Sequence, residues 1–493
     1  MYSPGSIIQL SQLMMCDTME NKQLGIIAVV VVVIVIVAGA AVALTKNNSN
    51  GSDKKTYEGI QTGCNLWVYG NVNGDDKIDN SDVALLEKIV AGTEQQVFIK
   101  IYDGYNAYGV HYASVSLADA NGDGKITSDD VTKVKEIISY FEKYSKAVTD
   151  GTLSSFTDTL KLYYENCDLK MASVNLPVQH LGVVYYTNSE VVRLLGATDR
   201  VVLSDNTTIN NHSVMLPEYQ RADITNVGDT RFNLNAETLL TAYEDQGMTA
   251  LFTGSSSTYS DGLESKVGDK IDVIRLPAWE DNNFMAGTLT LGYILGSTTT
   301  AYKYIDWANG VIDKISTDLK GVELTNIICA KGRVADLLAG NGNGSGRSEI
   351  TEWAGANNMV TTITPVTSEY PTITKEWAVS KNPQAIILSG NCGYEKSTAA
   401  AIKTNMYDVY DAAVSTYAGT DAAKNGKIYI ITDDIMTGPA AIVGLAYAAT
   451  LLHPDQTKNI DANAIFQEYV NNFGLGSSYK VTDHIDQFIY KSA

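Results

Sequence analysis

The stretch from Ser297 to Gly321 constrains this chain most. Tyr302, Ile305, Ala308, Ile312, Ile315 and Leu319 recur at steps of three and four, which lays one apolar stripe along a helix. Ser297 and Thr298 to Thr300 offer N-cap oxygens. Lys314 and Lys320 suit the negative end of the helix dipole, and Gly321 can take the left-handed conformation that ends a helix. Gly310 weakens the helix without breaking it. Short β-branched runs alternate with helical patterns on either side. One helix between two such halves fits two lobes on a stiff spine with a cleft between them. It also fits an ordinary crossover helix, and periodicity alone leaves both open.

A chain of 493 residues is too long for one core. Its 56 Asp and Glu against 36 Lys and Arg give a net charge of -20, which excludes a nucleic-acid partner, because phosphate binding needs a basic face. Such acidity suits cation binding or a solvated extracellular surface. The five cysteines (Cys16, Cys64, Cys167, Cys329, Cys392) form no CxxC pair and imply neither a zinc site nor a disulfide framework. Cys329 and Cys392 each follow an expected parallel strand and read as buried thiols.

Leu24 to Leu44 is an uncharged apolar run. At ~1.5 Å per residue it spans a hydrocarbon core of ~30 Å. It reads as a single-pass anchor in the cell membrane, with 1–23 a short cytoplasmic tail and the bulk of the chain outside. Charge does not fix this topology, since Lys22 lies on one side and Lys46, Lys54 and Lys55 on the other. Residues 45–60 start polar and small, as a flexible stalk would.

Two twelve-residue loops follow. Asn71, Asn73, Asp75, Asp79 and Asp82 place oxygens at positions one, three, five, nine and twelve of the first, and Asp119, Asn121, Asp123, Thr127 and Asp130 do so in the second. Calcium takes six to eight hard oxygens, and this spacing wraps them round one ion, with the backbone carbonyls of Lys77 and Lys125 at position seven. Gly124 supplies the sharp turn at position six of the second loop, whereas Asp76 stands there in the first. An amphipathic helix follows each loop. Aspartate at position twelve and a single helix per loop resemble dockerin type I repeats. The resemblance implies a paired module over 61–148, two structural Ca2+ ions and a cohesin-like partner. The strand-like insert between the loops departs from the family's shorter spacer.

Beyond about Met171, apolar runs alternate with helical patterns. Val201 to Leu203, Ala250 to Thr253 and Ile271 to Leu276 lie in one half, and Asn326 to Ala330, Ala385 to Leu388 and Ile428 to Ile431 in the other. Such runs fit parallel strands covered on both faces, with ligands beyond their carboxyl ends. Four phrases then occur in order: SEVVRLLGATDRVVLSDNTT, ITNVGDTRFNLNAETLL, TKEWAVSKNPQAIILSG and NGKIYIITDDIMTGPAAIVGLAYAATLLHP. Together they resemble class III solute-binding proteins of ABC importers. The resemblance implies an α/β, two-lobed periplasmic-binding-protein-like domain, with lobe 1 over 171–298, a single inter-lobe helix over 299–320 and lobe 2 over 321–493. It implies a membrane-anchored extracytoplasmic receptor that captures a metal chelate (iron-siderophore, haem or cobalamin) and delivers it to an ABC permease, without chemistry on the ligand. Glu237 and Glu376 match the lobe-surface glutamates with which the family docks on its permease.

Among loop residues, Trp279 can stack on a planar or macrocyclic ligand, and Arg231, Arg333 and Arg347 can pair with its carboxylates. Tyr394 follows a strand in the second half and is a further ligand-facing candidate. The run AGNGNGSGRSE lacks the GK[ST] ending of a phosphate loop and reads as a flexible cleft loop. No GxSxG, HExxH or His/Cys cluster marks an enzyme. Two alternatives stay open: a dockerin-bearing carbohydrate-active enzyme, and a calcium-dependent surface adhesion or scaffold protein.

Overall fold

A computed structural model describes residues 55–60, 63–106, 109–228, 232–256, 259–277 and 283–492. The expected tail and anchor (1–44) lie outside them. Among the described residues, no helix is long and apolar enough to cross a membrane.

Each half builds one five-stranded sheet. The strands in chain order are β1 (Ile99–Asn106), β2 (Gly109–Val115), β3 (Leu160–Glu165), β4 (Met171–Leu176), β5 (Leu181–Val183), β6 (Val201–Ser204), β7 (Thr225–Asn226), β8 (Ala250–Thr253), β9 (Asp272–Arg275), β10 (Thr325–Gly332), β11 (Ala356–Asn358), β12 (Ala385–Gly390), β13 (Ile428–Thr432) and β14 (Ile489–Lys491). Lobe 1 has the order β7-β6-β5-β8-β9, all parallel. Lobe 2 has the order β11-β10-β12-β13-β14, with only β14 antiparallel. The expected strands are all present. The central strands β12 and β13 are buried at every residue, as a sheet covered on both faces requires. At the middle of lobe 1, β5 can pass close to its neighbours because Gly182 has no side chain. A Cβ there would meet Met248 Sδ at 2.7 Å and Leu251 Cδ1 at 2.8 Å.

The inter-lobe helix runs Thr298–Leu319 and buries Ile305, Ala308, Ile312, Ile315 and Leu319, the stripe read from the sequence. Gly321 follows in the left-handed region at φ 77°. Ser297 does not cap the helix; its hydroxyl is buried without a hydrogen-bond partner.

Two parts of the chain differ from the expected stalk and separate module. Residues 55–60 and Gly63 form a strap along the inter-lobe helix. The Leu324 amide donates to Lys55 O at 2.9 Å, Tyr57 N to Val322 O at 2.8 Å and Gly321 N to Tyr57 O at 2.8 Å. Further along, Ile60 N donates to Ser316 Oγ at 2.9 Å and Gly63 N to Asn309 Oδ1 at 3.2 Å. Tyr57 is buried and its hydroxyl donates to Trp353 O, so an apolar anchor overrides the polar composition around it.

The loop pair is likewise not a separate body. Its core is continuous with that of lobe 1 and the inter-lobe helix. Antiparallel β3 and β4 lie beside β9, the edge of the lobe 1 sheet, where Asn175 N donates to Asp272 Oδ2 at 2.9 Å. The loop pair packs on this hairpin and on the buried helix Phe284–Ile294. Trp67 N donates to Thr290 Oγ1 at 3.1 Å, and Tyr144 Oη to Ile294 O at 3.1 Å. The insert is strand-like as read, an antiparallel hairpin of β1 and β2.

Candidate functional site

Both twelve-residue loops close as their spacing demands. In loop 1, Asp79 at position nine is the N-cap of helix Asn80–Val90, and Asp82 at position twelve completes a capping box with it. Asp82 is fully buried. Its Oδ1 accepts from Val72 N at 2.7 Å and Asn73 N at 3.0 Å, and its Oδ2 from Asp79 N at 2.9 Å. Asn73 Oδ1 holds Asp75 N and Asp75 Oδ1 holds Lys77 N, so the odd-numbered side chains are turned inward by the loop's own amides. Loop 2 repeats this. Thr127 caps helix Ser128–Thr149, Asp130 Oδ1 accepts from Asn121 N at 3.1 Å and Oδ2 from Thr127 N at 2.8 Å, and Asp119 Oδ2 accepts from Gly124 N at 2.9 Å.

One observation tests the fit to calcium. Asn71 Oδ1 at position one is buried without a hydrogen-bond partner, while its amide nitrogen donates to Leu66 O and Asp75 O. An orphaned buried oxygen at the first ligand position is what a hard cation would satisfy. Among the described residues no three His, Cys, Asp or Glu side chains form a ready metal cluster. Each loop instead interleaves its Asp side chains with Asn or Thr.

The second feature is the cleft at the carboxyl ends of both sheets. Beyond β5 the chain turns sharply at Tyr185, a non-glycine residue at φ 82°, a strained conformation of the kind that collects at ligand sites. Buried Asp205 fixes the turn by accepting from Tyr185 N and Thr208 N. The turn sets Tyr186 at the start of helix Tyr186–Leu194, where its ring stacks on His212 with centroids 3.8 Å apart and planes 6° from parallel. Thr207 O lies 3.0 Å from His212 Nδ1. A carbonyl only accepts, so Nδ1 carries the proton and Nε2 the lone pair. Burial pushes the His212 imidazole below its ordinary range.

From lobe 2, Arg347 Nε donates to Asp433 Oδ1 at 2.8 Å, with Tyr370 Oη 3.5 Å from its Nη1. The Lys331 ammonium lies 4.0 Å from the centre of the Tyr370 ring. Burial, and then Tyr185, Asp434 and Asp433, push the Tyr186 phenol up. Burial raises the Asp434 carboxyl to about 7. The lobes also touch directly. Glu395 Oε1 of lobe 2 accepts from Val214 N at 2.8 Å and Met215 N at 2.9 Å of lobe 1.

The expected ligand residues separate here. Arg347 is partly buried and paired with Asp433, which directly follows β13. Arg333 is exposed beyond β10. Tyr394 is a core residue, not a ligand-facing one: its ring packs on Phe488 at 4.8 Å and Tyr479 at 5.5 Å. Arg231 and Trp279 lie outside the described residues. The glycine-rich run is not loose, since Gly340 N and Gly342 N donate to Pro371 O and Glu369 O, and Asn341 N to Cys329 O. Cys329 and Cys392 are free thiols, as expected. Tyr186 and Glu395 were missed; the paired tyrosines directly after a short apolar run were the available signal. Glu237 and Glu376 are both exposed in the first turns of their helices, one per lobe. Its own backbone N–H and the Thr374 hydroxyl hold the Glu376 carboxyl below the usual carboxylate range.

Two sheets, one connecting helix and a cleft at the strand ends define a two-lobed solute-binding protein. The chain belongs to the periplasmic binding protein family, whose model matches residues 183–435, over half of its length. This is a family of substrate-binding proteins rather than enzymes. Residues 69–139 match the dockerin type I domain, a calcium-binding module. Among solved structures, the chain is similar to the TroA-like periplasmic binding protein FepB from Veillonella parvula, at 14% identity over 67% of this chain and 99% of that one, with a TM-score of 0.53. A periplasmic solute binding protein from Veillonella parvula DSM 2008 aligns at 14% identity over 67% of this chain and 97% of that one, with a TM-score of 0.50. No curated protein matches the chain.

Proposed function

We propose that the chain is the extracytoplasmic receptor of an ABC importer, and that it captures a small metal chelate (an iron-siderophore, haem or cobalamin) in the cleft. The observation that carries this reading is the pairing across the cleft: an aromatic stack on one lobe and a guanidinium on the other. The Tyr186–His212 stack offers a flat apolar face to a planar ligand. Arg347 rests on Asp433 and can exchange that carboxylate for one on the chelate. Glu237 and Glu376 dock on arginines of the permease, one from each lobe. Leu24 to Leu44 holds the protein at the outer face of the membrane. Two calcium ions occupy the loops, held by the side chains at positions one, three, five, nine and twelve with the Lys77 and Lys125 carbonyls. The outward face of the module, with Ser81, Lys88, Ser128 and Thr132 exposed, stays open to a cohesin-like partner.

The test is a thermal-shift screen of the full chain against cobalamin, haem, ferric siderophores and oligosaccharides. A chelate at a hundred times its Kd raises stability by about 2.7 kcal/mol. Arg347→Ala is expected to weaken that chelate about ten- to a hundredfold, the loss of a charge-assisted bond. A shift with oligosaccharides alone would overturn the reading.

A further inference from the structure

Loop 1 is hydrogen-bonded to the hinge of the two lobes. At position six the Asp76 carbonyl accepts from Tyr302 Oη at 2.8 Å. At position eight Ile78 N donates to Tyr293 Oη at 3.4 Å, and the two phenols lie 2.9 Å apart. The proton directions follow from chemistry. A carbonyl only accepts, so the single Tyr302 proton goes to Asp76. Tyr293 must then donate to Tyr302 while it accepts from Ile78. The relay therefore leaves loop 1 at Ile78, crosses both phenols and returns to loop 1 at Asp76.

Tyr293 stands near the end of the buried helix Phe284–Ile294, and Tyr302 in the second turn of the inter-lobe helix. Between the two tethered residues stands Lys77, whose carbonyl the spacing gives to calcium. Loop 1 also departs from the usual glycine at position six. Asp76 there is not among the residues at positive φ, whereas Gly124 in loop 2 sits at φ 82°. The turn of loop 1 is shaped from outside, by a phenol of the inter-lobe helix. In loop 2 the amides of Gly122, Asp123 and Gly124 bond inside the loop, to Asp119.

We propose that loop 1 and the inter-lobe helix form one calcium-dependent unit, in which Tyr302 and Tyr293 are positioning residues for the Lys77 carbonyl and calcium in loop 1 fixes the setting of the helix. The lobes turn about that helix, so calcium regulates the solute receptor through its hinge. By linkage, whatever favours one setting of the hinge changes calcium affinity at loop 1 and leaves loop 2 alone. This rests on the reading of loop 1 as a calcium loop.

The experiment uses the full chain with calcium alone, so it does not depend on the solute. Calorimetric titration should resolve two sites, of which Asp130→Asn removes the one in loop 2. Tyr302→Phe is expected to weaken the remaining site about five- to tenfold, the worth of one hydrogen bond, and to leave the loop 2 site unchanged. Hydrogen exchange on the wild type needs no variant. Chelation should speed amide exchange in residues 298–308 at least tenfold, and Asp130→Asn should not. Equal calcium binding in wild type and Tyr302→Phe, or hinge exchange indifferent to calcium, would overturn the coupling. Loss of all binding in Asp130→Asn would show that loop 1 takes no calcium, and would overturn the calcium reading of loop 1 together with the coupling.

Discussion

The two loops share a spacing, a capping box and a buried aspartate at position twelve, yet they have different neighbours. Loop 1 lies under β1, where a Cβ on Gly74 would meet Ile99 Cγ2 at 2.6 Å, and against the tyrosines of the hinge. Loop 2 lies on β3, where a Cβ on Gly122 would meet the Tyr163 ring at 2.5 Å, and its turn at Gly124 is open to solvent. A duplicated motif fixes the ligand set. What each loop is connected to is decided by tertiary packing.

The largest expected effect is chelation. With calcium at a hundred times Kd, each loop adds about 2.7 kcal/mol to the full chain. Because module and lobes share a core, calorimetry should show one transition that moves as a whole when calcium is removed. Separate melting of the module, with the lobes unmoved, would break the contrast between a built-in loop 1 and a peripheral loop 2.

A second test weighs the other support of the inter-lobe helix. Tyr304 and Trp307 pack near Tyr469, whose hydroxyl donates to buried Glu190 at 2.6 Å. Burial raises the Glu190 carboxyl from 4.5 to about 7. The folded state thus holds a proton that the unfolded state releases at lower pH. The stabilisation is complete below pH 4.5 and is lost as pH rises to about 7, by an amount on the order of 3 kcal/mol. Urea melts across this window should show the slope, and Glu190→Gln should flatten it.

Smaller effects separate the two turns. Gly124→Asp puts a side chain at positive φ and should cost about 1 kcal/mol in the calcium-loaded protein. Asp76→Gly should bring no gain and lose about 0.5 kcal/mol, since that turn needs no left-handed residue. A gain in the melting temperature for Asp76→Gly would erase the distinction. Smallest of all is the exposed pair Lys135–Glu87 at 2.9 Å, which joins the two module helices. A double-mutant cycle should find less than about 0.5 kcal/mol. A larger coupling would mean that the loops communicate through their helices.

Much of this was legible in the chain. The inter-lobe helix showed in its period, the strands in their apolar runs and the loops in their spacing, because each is set by local residues. The cleft was less legible. Tyr186 and His212 meet only after β5 and β6 pair, and β5 is three residues long, too short for a pattern. Tyr394 looked like a loop residue because the segment that buries it, with Tyr479 and Phe488, arrives far later in the chain. The strap at 55–60 was hidden by its polar composition, while Tyr57 and Ile60 supply its hold.

The strap also ties the chain that precedes it to the hinge. It meets the body beside Glu323, ahead of the amino end of β10, and its backbone bonds to Gly321, Val322 and Leu324, directly after the inter-lobe helix. A pull on the chain at Lys55 is thus delivered first to the end of the helix that joins the lobes.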